Sequence, residues 1–418
     1  MNVMVLTPYL PHARVGHGGG TAVRDLVRAL ARSHTVLVVS LLRPGEAGLE
    51  AEVEALGARV TTIPFVDDGA RGLDRLPLLT ARSGAWLRSR RSGYPLYVEK
   101  YRTRAIASRV IAAAEDFTPD AIQAEYLQTA LLVRDLRAWR DARGGPGPKL
   151  VLNSHELGSL PRERRAAAAA DPGQRRRELA DAARWRRLQV DATGWADTTL
   201  CVTPQDHELY AAMGGRNLRT VPLGMDTATL DAVWAPAAAG PETHLFVASY
   251  AHRPNRLAAE LLVTRIWPLV RAARPQAHLL LAGRGSREFL ADLPAGAVGP
   301  GVIALGFVDD LAPLYEQATT VPAPIPEGGG IKIKILEALA RGVPVVTTPV
   351  GAEGITVAAD GAAVIAPPDE RFAAALVAVA GDGPRLAELS RRGRALVEEK
   401  FSWTAIAATL TRIYAPDP

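Results

Sequence analysis

Pro322-Ala-Pro-Ile-Pro-Glu-Gly-Gly-Gly-Ile-Lys-Ile-Lys-Ile-Leu-Glu-Ala-Leu-Ala-Arg-Gly-Val-Pro-Val-Val-Thr-Thr348 decides the fold. The stretch reads as a strand that runs through a glycine turn into a helix and on to another strand, one βαβ unit of a parallel sheet. Glycine lets backbone approach a ligand closely, and the free N–H groups of a helix start carry partial positive charge suited to phosphate. An anionic diphosphate sits well there. Lys332 and Lys334 supply cations, and Glu337, about two turns into the helix, can accept hydrogen bonds from ribose hydroxyls. Taken alone, Glu337 reads more plainly as a surface ion pair with Arg341 four residues on, worth only ~0.5 kcal/mol.

The same alternation of apolar runs and helical patterns extends through the whole chain. Strands are expected at Asn2–Leu6, Thr35–Leu41, Arg59–Ile63, Ala121–Ala124, Leu150–Asn153 and Thr198–Val202. Helices fall between them, including Thr21–Arg32 after a glycine cluster and a long Arg- and Ala-rich one from about Asp171 to Asp191. Val221-Pro-Leu-Gly-Met-Asp226 and the Pro/Ala/Gly-rich stretch Trp234–Pro241 interrupt the rhythm and read as an interdomain linker. A second series follows, with strands at His244–Ala248, Ala277–Ala282, Val302–Leu305, Thr319–Ala323 and Pro344–Thr348. The halves share an architecture without a repeated sequence, so paired domains are expected rather than a solenoid. In open parallel sheets ligands bind at the carboxyl ends of the strands.

The composition, 418 residues with 48% hydrophobic and 22% charged content, is that of a globular chain long enough for two cores. Met1–Leu6 gives way at once to Thr7-Pro8, and no run approaches the ~18 apolar residues of a membrane span, so a cytoplasmic protein is expected. Cys201, the lone cysteine, has no companion for a disulfide or a zinc site and reads as a small buried hydrophobe. The net charge of +5, with clusters at Arg88–Arg91 and Arg175–Arg177, reads as a solvated surface. Nucleic acid is not expected, because the clusters lack interleaved aromatics and no DNA or RNA module accompanies them.

The chain resembles the glycosyltransferases called group 1 or family 4, and the resemblance runs through nearly all of it. The glycine turn, Ile-Leu-Glu337-Ala-Leu-Ala, Gly342-x-Pro344-Val-Val and Gly351-x-Glu353-Gly354 stand in the family's order and spacing. Val221-Pro-Leu-Gly-Met-Asp226 is similar to its interdomain motif, Gly306-Phe-Val-Asp-Asp310 to its loop holding the base, and Phe401-Ser-Trp403 to the start of its terminal crossing helix. The resemblance implies an α/β protein of GT-B type, two Rossmann-like parallel-sheet domains facing a central cleft. An acceptor-side domain is expected over 1–225 with the crossing helix 402–414, and a nucleotide-sugar domain over 226–400. It implies a nucleotide-sugar donor, an acceptor the sequence leaves open, no cofactor, and retention of anomeric configuration.

Site residues follow from the same resemblance. In the second domain the expected donor contacts are Gly283, Arg284, Phe307, Val308, Gly329, Gly330, Ile331, Lys332, Lys334 and Glu337. The basic pair that many members place after the domain's first strand maps to Ser249 and Asn255, neither of which is charged; His252, Arg253 and Arg256 occupy the same turn and become candidates for balancing the diphosphate. The glutamate that usually stands eight residues before the ribose-binding one is Gly329 here, with Glu327 close enough to substitute. In the first domain Gly16-His-Gly-Gly-Gly20 fails the dinucleotide fingerprint, since Thr21 stands where the last glycine belongs. Gly18, Gly19 and Gly20 are instead expected in the loop facing donor phosphates and acceptor. A lone histidine is more often structural than catalytic, yet His155 falls where the family places one against the donor sugar, and Glu125 is a second contact for sugar or acceptor.

No Asp-x-Asp anchor is present, so cations rather than a metal are expected to hold the diphosphate. Trp86, Leu87, Tyr94, Leu96 and Tyr97 among Arg82, Arg88, Arg90, Arg91, Arg102 and Arg104 form a patch suited to peripheral contact with an anionic membrane, or to the rim of a soluble acceptor's pocket. Two other functions fit the fold: a noncatalytic nucleotide-sugar-binding protein, motivated by Gly329, Ser249 and Asn255, and a nonhydrolysing sugar-nucleotide epimerase, for which no acid–base carboxylate motif is found.

Overall fold

A computed structural model describes residues 1–12, 18–65, 75–225, 227, 234, 241–327, 331–355 and 360–416, with the side chains of 18, 19 and 75–82 left aside. The chain divides into two compact units, Met1–Gly224 with Ile406–Pro418, and Met225–Ala405.

The first unit is built on seven parallel strands: β1 (Asn2–Thr7), β2 (Thr35–Leu42), β3 (Arg59–Pro64), β4 (Ala121–Glu125), β5 (Lys149–Asn153), β6 (Thr198–Cys201) and β7 (Leu218–Thr220). Their order is β3-β2-β1-β4-β5-β6-β7. Strands covered on both faces read as near-continuous apolar runs, and Val3, Met4, Val5 and Leu6 are fully buried. Thr103 caps the helix Arg104–Phe117 by accepting from the Ile106 amide at 3.2 Å, and Asp171 caps Pro172–Trp195 through the Gly173 and Gln174 amides. The terminal helix Trp403–Tyr414 ends in this unit, where Thr411 Oγ1 meets His34 Nε2 at 2.8 Å.

The second unit repeats the plan with β8 (Thr243–Val247), β9 (His278–Ala282), β10 (Val302–Gly306), β11 (Val321–Ala323), β12 (Val345–Thr347) and β13 (Val364–Ile365). The sets β10-β9-β8 and β11-β12-β13 meet at a single parallel bridge between His244 and Thr320, reinforced by Thr319 N–H to the Thr243 carbonyl at 2.6 Å. The strand order thus reverses beside β8, as it does beside β1 in the first unit.

The expected strands are all present with ends within one residue, except Thr319–Ala323, which starts two residues later as Val321–Ala323; β7 and β13 are additions. Both additions are edge strands of three and two residues, too short to carry a period. The helix expected from Thr21 starts at Gly18, so Gly18, Gly19 and Gly20 form its first turn rather than the loop before it. Asp226 and most of the linker, 228–233 and 235–240, lie outside the described residues, but Trp234 packs within the second unit and donates from Nε1 to the Ala318 carbonyl at 3.0 Å.

Candidate active site

Each unit gathers its polar side chains at the carboxyl ends of its strands. In the second unit the segments after β8, β9, β10 and β11 carry Ser249 to Arg256, Gly283 with Arg284, Phe307 with Val308, and Glu327. Gly283 shows how closely these turns approach: its φ is 120°, and an added Cβ would lie 1.9 Å from the Ala248 carbonyl oxygen.

Lys334 stands at the start of the helix Ile333–Ala340. Its ammonium donates to Asn255 Oδ1 at 2.5 Å, Asn255 Nδ2 donates to the Ser249 carbonyl at 3.0 Å, and the Phe246 ring centroid lies 4.8 Å from Nζ. Ser249 and Asn255, uncharged where a basic pair was expected, therefore form a polar bracket for a lysine that arrives from another element. Burial, with Lys332 beside it, pushes Lys334 down from its ordinary 10.5 to about 7. Lys332 is also lowered by burial, opposed by Glu353 at 3.8 Å. Both lysines are half-buried rather than freely exposed cations.

Glu337 is half-buried, and burial holds its carboxyl above the ordinary range while Arg341 pulls it back. The two are paired at 3.7 Å, beyond hydrogen-bond reach. Arg253 donates to Glu327 at 2.6 Å, joining two donor candidates, whereas Arg256 is drawn to Asp292 at 3.1 Å. His252 is exposed and its carbonyl starts the helix Arg253–Leu261. Phe307 is 63% exposed with the Arg284 guanidinium 5.5 Å from its centroid, Val308 is half-buried, and Ile331 packs on the core. Gly329 and Gly330 lie outside the described residues.

In the first unit Glu125 ends β4 and is fully buried. Glu125 and Asn153 are register partners on β4 and β5, so their side chains lie side by side, and Asn153 Nδ2 donates to Glu125 Oε2 at 3.0 Å. Gln123, two residues earlier and on the same face, donates from Nε2 to Glu125 Oε1 at 2.5 Å. His155 Nε2 meets Glu125 Oε2 at 2.5 Å. His155 has φ 57° and is the centre of a tight turn closed by Glu156 N–H to the Ser154 carbonyl at 2.7 Å. Its ring stacks on Tyr126, centroids 3.7 Å apart and planes 6° from parallel, and Tyr126 itself has φ 67°. Two adjacent side chains held on positive-φ backbone store of order 1–3 kcal/mol each. Tyr9, whose centroid is 5.2 Å from that of Tyr126, and Tyr126 both have raised hydroxyls, from burial first and with the Glu125 carboxylate contributing.

Sequence reasoning singled out His155 and Glu125 but missed Gln123, Asn153, Tyr126 and Tyr9. A signal existed for one of them: in Ala-Ile-Gln-Ala-Glu, polar residues occupy one face of an otherwise apolar interior strand.

The basic patch is thinner than expected. Arg88 is tied to Glu99 at 3.3 Å, Arg102 grips Asp135 with two bonds of 2.8 and 3.0 Å, and Tyr94 is buried with its hydroxyl on Asp191. Arg90, stacked over Trp86 at 4.6 Å, Arg91 and Arg104 remain exposed; the side chain of Arg82 lies outside the described residues. Trp86, Leu87 and Leu96 line a shallow groove with Ser83 and Lys100. Among the described residues no three His, Cys, Asp or Glu side chains stand together as metal ligands, and no helix is long and apolar enough to cross a membrane.

Two parallel-sheet units with reversing strand order, each with its polar groups at the carboxyl end, define the class as GT-B. The family description "Glycosyltransferase Family 4" matches residues 16–229, just over half of the chain, and "Glycosyl transferases group 1" matches residues 241–382. The chain belongs to the group 1 / family 4 glycosyltransferases. It is 34% identical over 160 residues to a GDP-mannose-dependent monoacylated alpha-(1-6)-phosphatidylinositol monomannoside mannosyltransferase of Corynebacterium glutamicum, a match that spans 36% of this chain and 42% of that protein. It is 27% identical over 390 residues to a GDP-mannose-dependent alpha-(1-6)-phosphatidylinositol dimannoside mannosyltransferase of Mycobacterium tuberculosis, spanning 90% of this chain and 94% of that protein. Among solved structures, a sucrose-phosphate synthase from Thermosynechococcus elongatus superposes with TM-score 0.62 at 20% identity, covering 99% and 98% of the two chains. The Anabaena protein HepE in complex with UDP does so with TM-score 0.62 at 14% identity, covering 99% of both.

Proposed function

We propose that the protein transfers a hexose from a nucleoside diphosphate sugar, GDP-mannose foremost, to an acceptor carried on a lipid, with retention of configuration and without a metal. The observation that carries the reading is that Lys332, Lys334 and Glu337 stand at the N-cap and in the first five residues of one helix after β11, two cations and a carboxylate of the kinds a diphosphate and a ribose need. The choice of GDP-mannose and a lipid-borne acceptor is suggested by the relatives' names.

In the reaction the acceptor oxygen attacks the anomeric carbon on the face the diphosphate leaves. The bond from that carbon to the phosphate oxygen breaks, and the acceptor's proton passes to the departing phosphate. Negative charge grows on the leaving oxygen, and preoriented N–H groups with Lys332 and Lys334 stabilise it, each by a few kcal/mol in a site closed to water. Ser249 and Asn255 hold Lys334 in place, Phe307 offers an exposed ring for the base, and Glu327 stands in for the missing glutamate at Gly329 while shared with Arg253. His155, with Glu125 behind it, meets the sugar near the reacting carbon.

The groove at Trp86, Leu87 and Leu96, flanked by exposed Arg90 and Arg91, supports peripheral contact with the anionic inner face of a membrane, with the protein otherwise cytoplasmic. Each basic residue near such a surface adds ~1 kcal/mol.

Thermal denaturation with GDP, UDP and dTDP tests the donor assignment, because a ligand at a hundredfold excess over its Kd stabilises by about 2.7 kcal/mol. GDP should raise Tm most. A Tm unmoved by all three would overturn the reading.

A further inference from the structure

The Glu125 cluster does not end at Gln123. Tyr414, fully enclosed near the end of the terminal helix, donates its hydroxyl to Gln123 Oε1 at 2.5 Å. A continuous buried chain therefore runs from Tyr414 Oη–H to Gln123 Oε1 and from Gln123 Nε2 to Glu125 Oε1, while His155 Nε2 meets the other carboxylate oxygen, Glu125 Oε2.

The polarity of this chain is fixed by chemistry. An ionised carboxylate only accepts, so Gln123 must turn its amide nitrogen to Glu125 and its carbonyl to Tyr414, and His155 must offer a protonated Nε2. The Tyr414 phenol, whose hydroxyl burial holds well above its ordinary value, supplies the donor that satisfies Gln123 Oε1 in this orientation. Without that donor Gln123 Oε1 is left enclosed and unpaired, a cost that favours rotation of the Gln123 side chain and loosens its hold on Glu125. Glu125 is enclosed with Gln123, Asn153 and His155 as its side-chain partners, so losing one changes how firmly its carboxylate is held against His155. His155 in turn sits on strained backbone against Tyr126, where its ring direction is set by that one carboxylate and the stack.

We propose that Tyr414 and Gln123 are positioning residues of the transfer reaction: they orient Glu125 so that His155 is held as the Nε2-protonated tautomer, with Nδ1 as the acceptor nitrogen of its ring. The proposal rests on the role given to His155 above, and partners of this kind behind a functional histidine commonly matter 10- to 100-fold where they have been removed at metal sites.

The test is Tyr414→Phe, which deletes one oxygen and keeps the ring. Protein labelled with 15N-histidine, with the His155 signals assigned through His155→Asn, reports the tautomer directly. Wild type should show His155 as a single Nε2-protonated tautomer at neutral pH, and Tyr414→Phe a mixture. Steady-state kinetics should show kcat lowered about tenfold with the donor KM within twofold, and Tyr414→Phe combined with Glu125→Gln no worse than Glu125→Gln alone. Tyr94→Phe, which removes another buried hydroxyl from a carboxylate outside this chain of bonds, controls for a general loss of stability and should leave the His155 signals unchanged. An unaltered single tautomer in Tyr414→Phe would overturn the proposal whatever happens to the rate. A wild-type protein with no transferase activity would instead overturn the proposed function, and the tautomer comparison would still decide this point.

Discussion

Lys334 carries a charge that its own surroundings resist. In the free protein the burial penalty on the ammonium is complete below pH about 7 and fades as the pH climbs toward 10.5, where folded and unfolded chains are both neutral. An anionic diphosphate reverses the preference, so donor affinity should fall as pH rises through about 7. Calorimetry at about pH 8 in two buffers of different ionisation enthalpy should show proton uptake on binding nucleoside diphosphate, and Lys334→Ala should abolish it; uptake that persists in the variant would assign the proton elsewhere. Glu337 is the other residue whose reading hangs on one substitution. Glu337→Ala should weaken diphosphate binding by ~1.5 to 3 kcal/mol if ribose hydroxyls lie on the carboxylate. An unchanged affinity would return Glu337 to its 3.7 Å pairing with Arg341.

At the scale of elements, the turn after β9 is the tightest test of packing. Gly283→Ala puts a methyl group against the Ala248 carbonyl on positive-φ backbone, and overpacking with strain should cost about 3 kcal/mol, read as a lowered Tm; an unmoved Tm would mean the turn gives way. The helix Arg75–Ser92 with Leu96–Glu99 carries the membrane proposal. Arg90→Ala with Arg91→Ala should lower cosedimentation with vesicles containing anionic lipid at low salt and leave neutral vesicles unaffected, because Arg88 and Arg102 are already bound to Glu99 and Asp135. Equal recovery of wild type in the supernatant with both vesicles would remove the contact. Elements were also where the sequence was most legible. Interior strands such as Val3–Leu6 are long, apolar and β-branched, while β13 has only two residues and the helix at Gly18 begins in glycines, whose propensity argues against a helix.

Across the whole molecule, legibility followed sequence distance. Lys332, Lys334 and Glu337 lie within one βαβ unit, where a local pattern states the chemistry. The bracket of Ser249 and Asn255 around Lys334 closes over 79 residues, and the Tyr414–Gln123 bond over 291, so both exist only through tertiary register. Identity lines such as Gly329 and Ser249 told where the charges expected of the family are missing, but not that Glu327 is held by Arg253. If cations hold the diphosphate, activity should survive EDTA; a loss reversed by divalent metal would contradict the metal-free account. The most direct measurement of the central claim is sugar transfer itself, followed by mass spectrometry of lipid extract incubated with purified protein and GDP-, UDP- or dTDP-sugars. The account predicts one added hexose on an acceptor lipid with matching nucleoside diphosphate release, greatest with GDP-mannose and lost in His155→Ala. The absence of both transfer and nucleoside diphosphate release with every donor would contradict it.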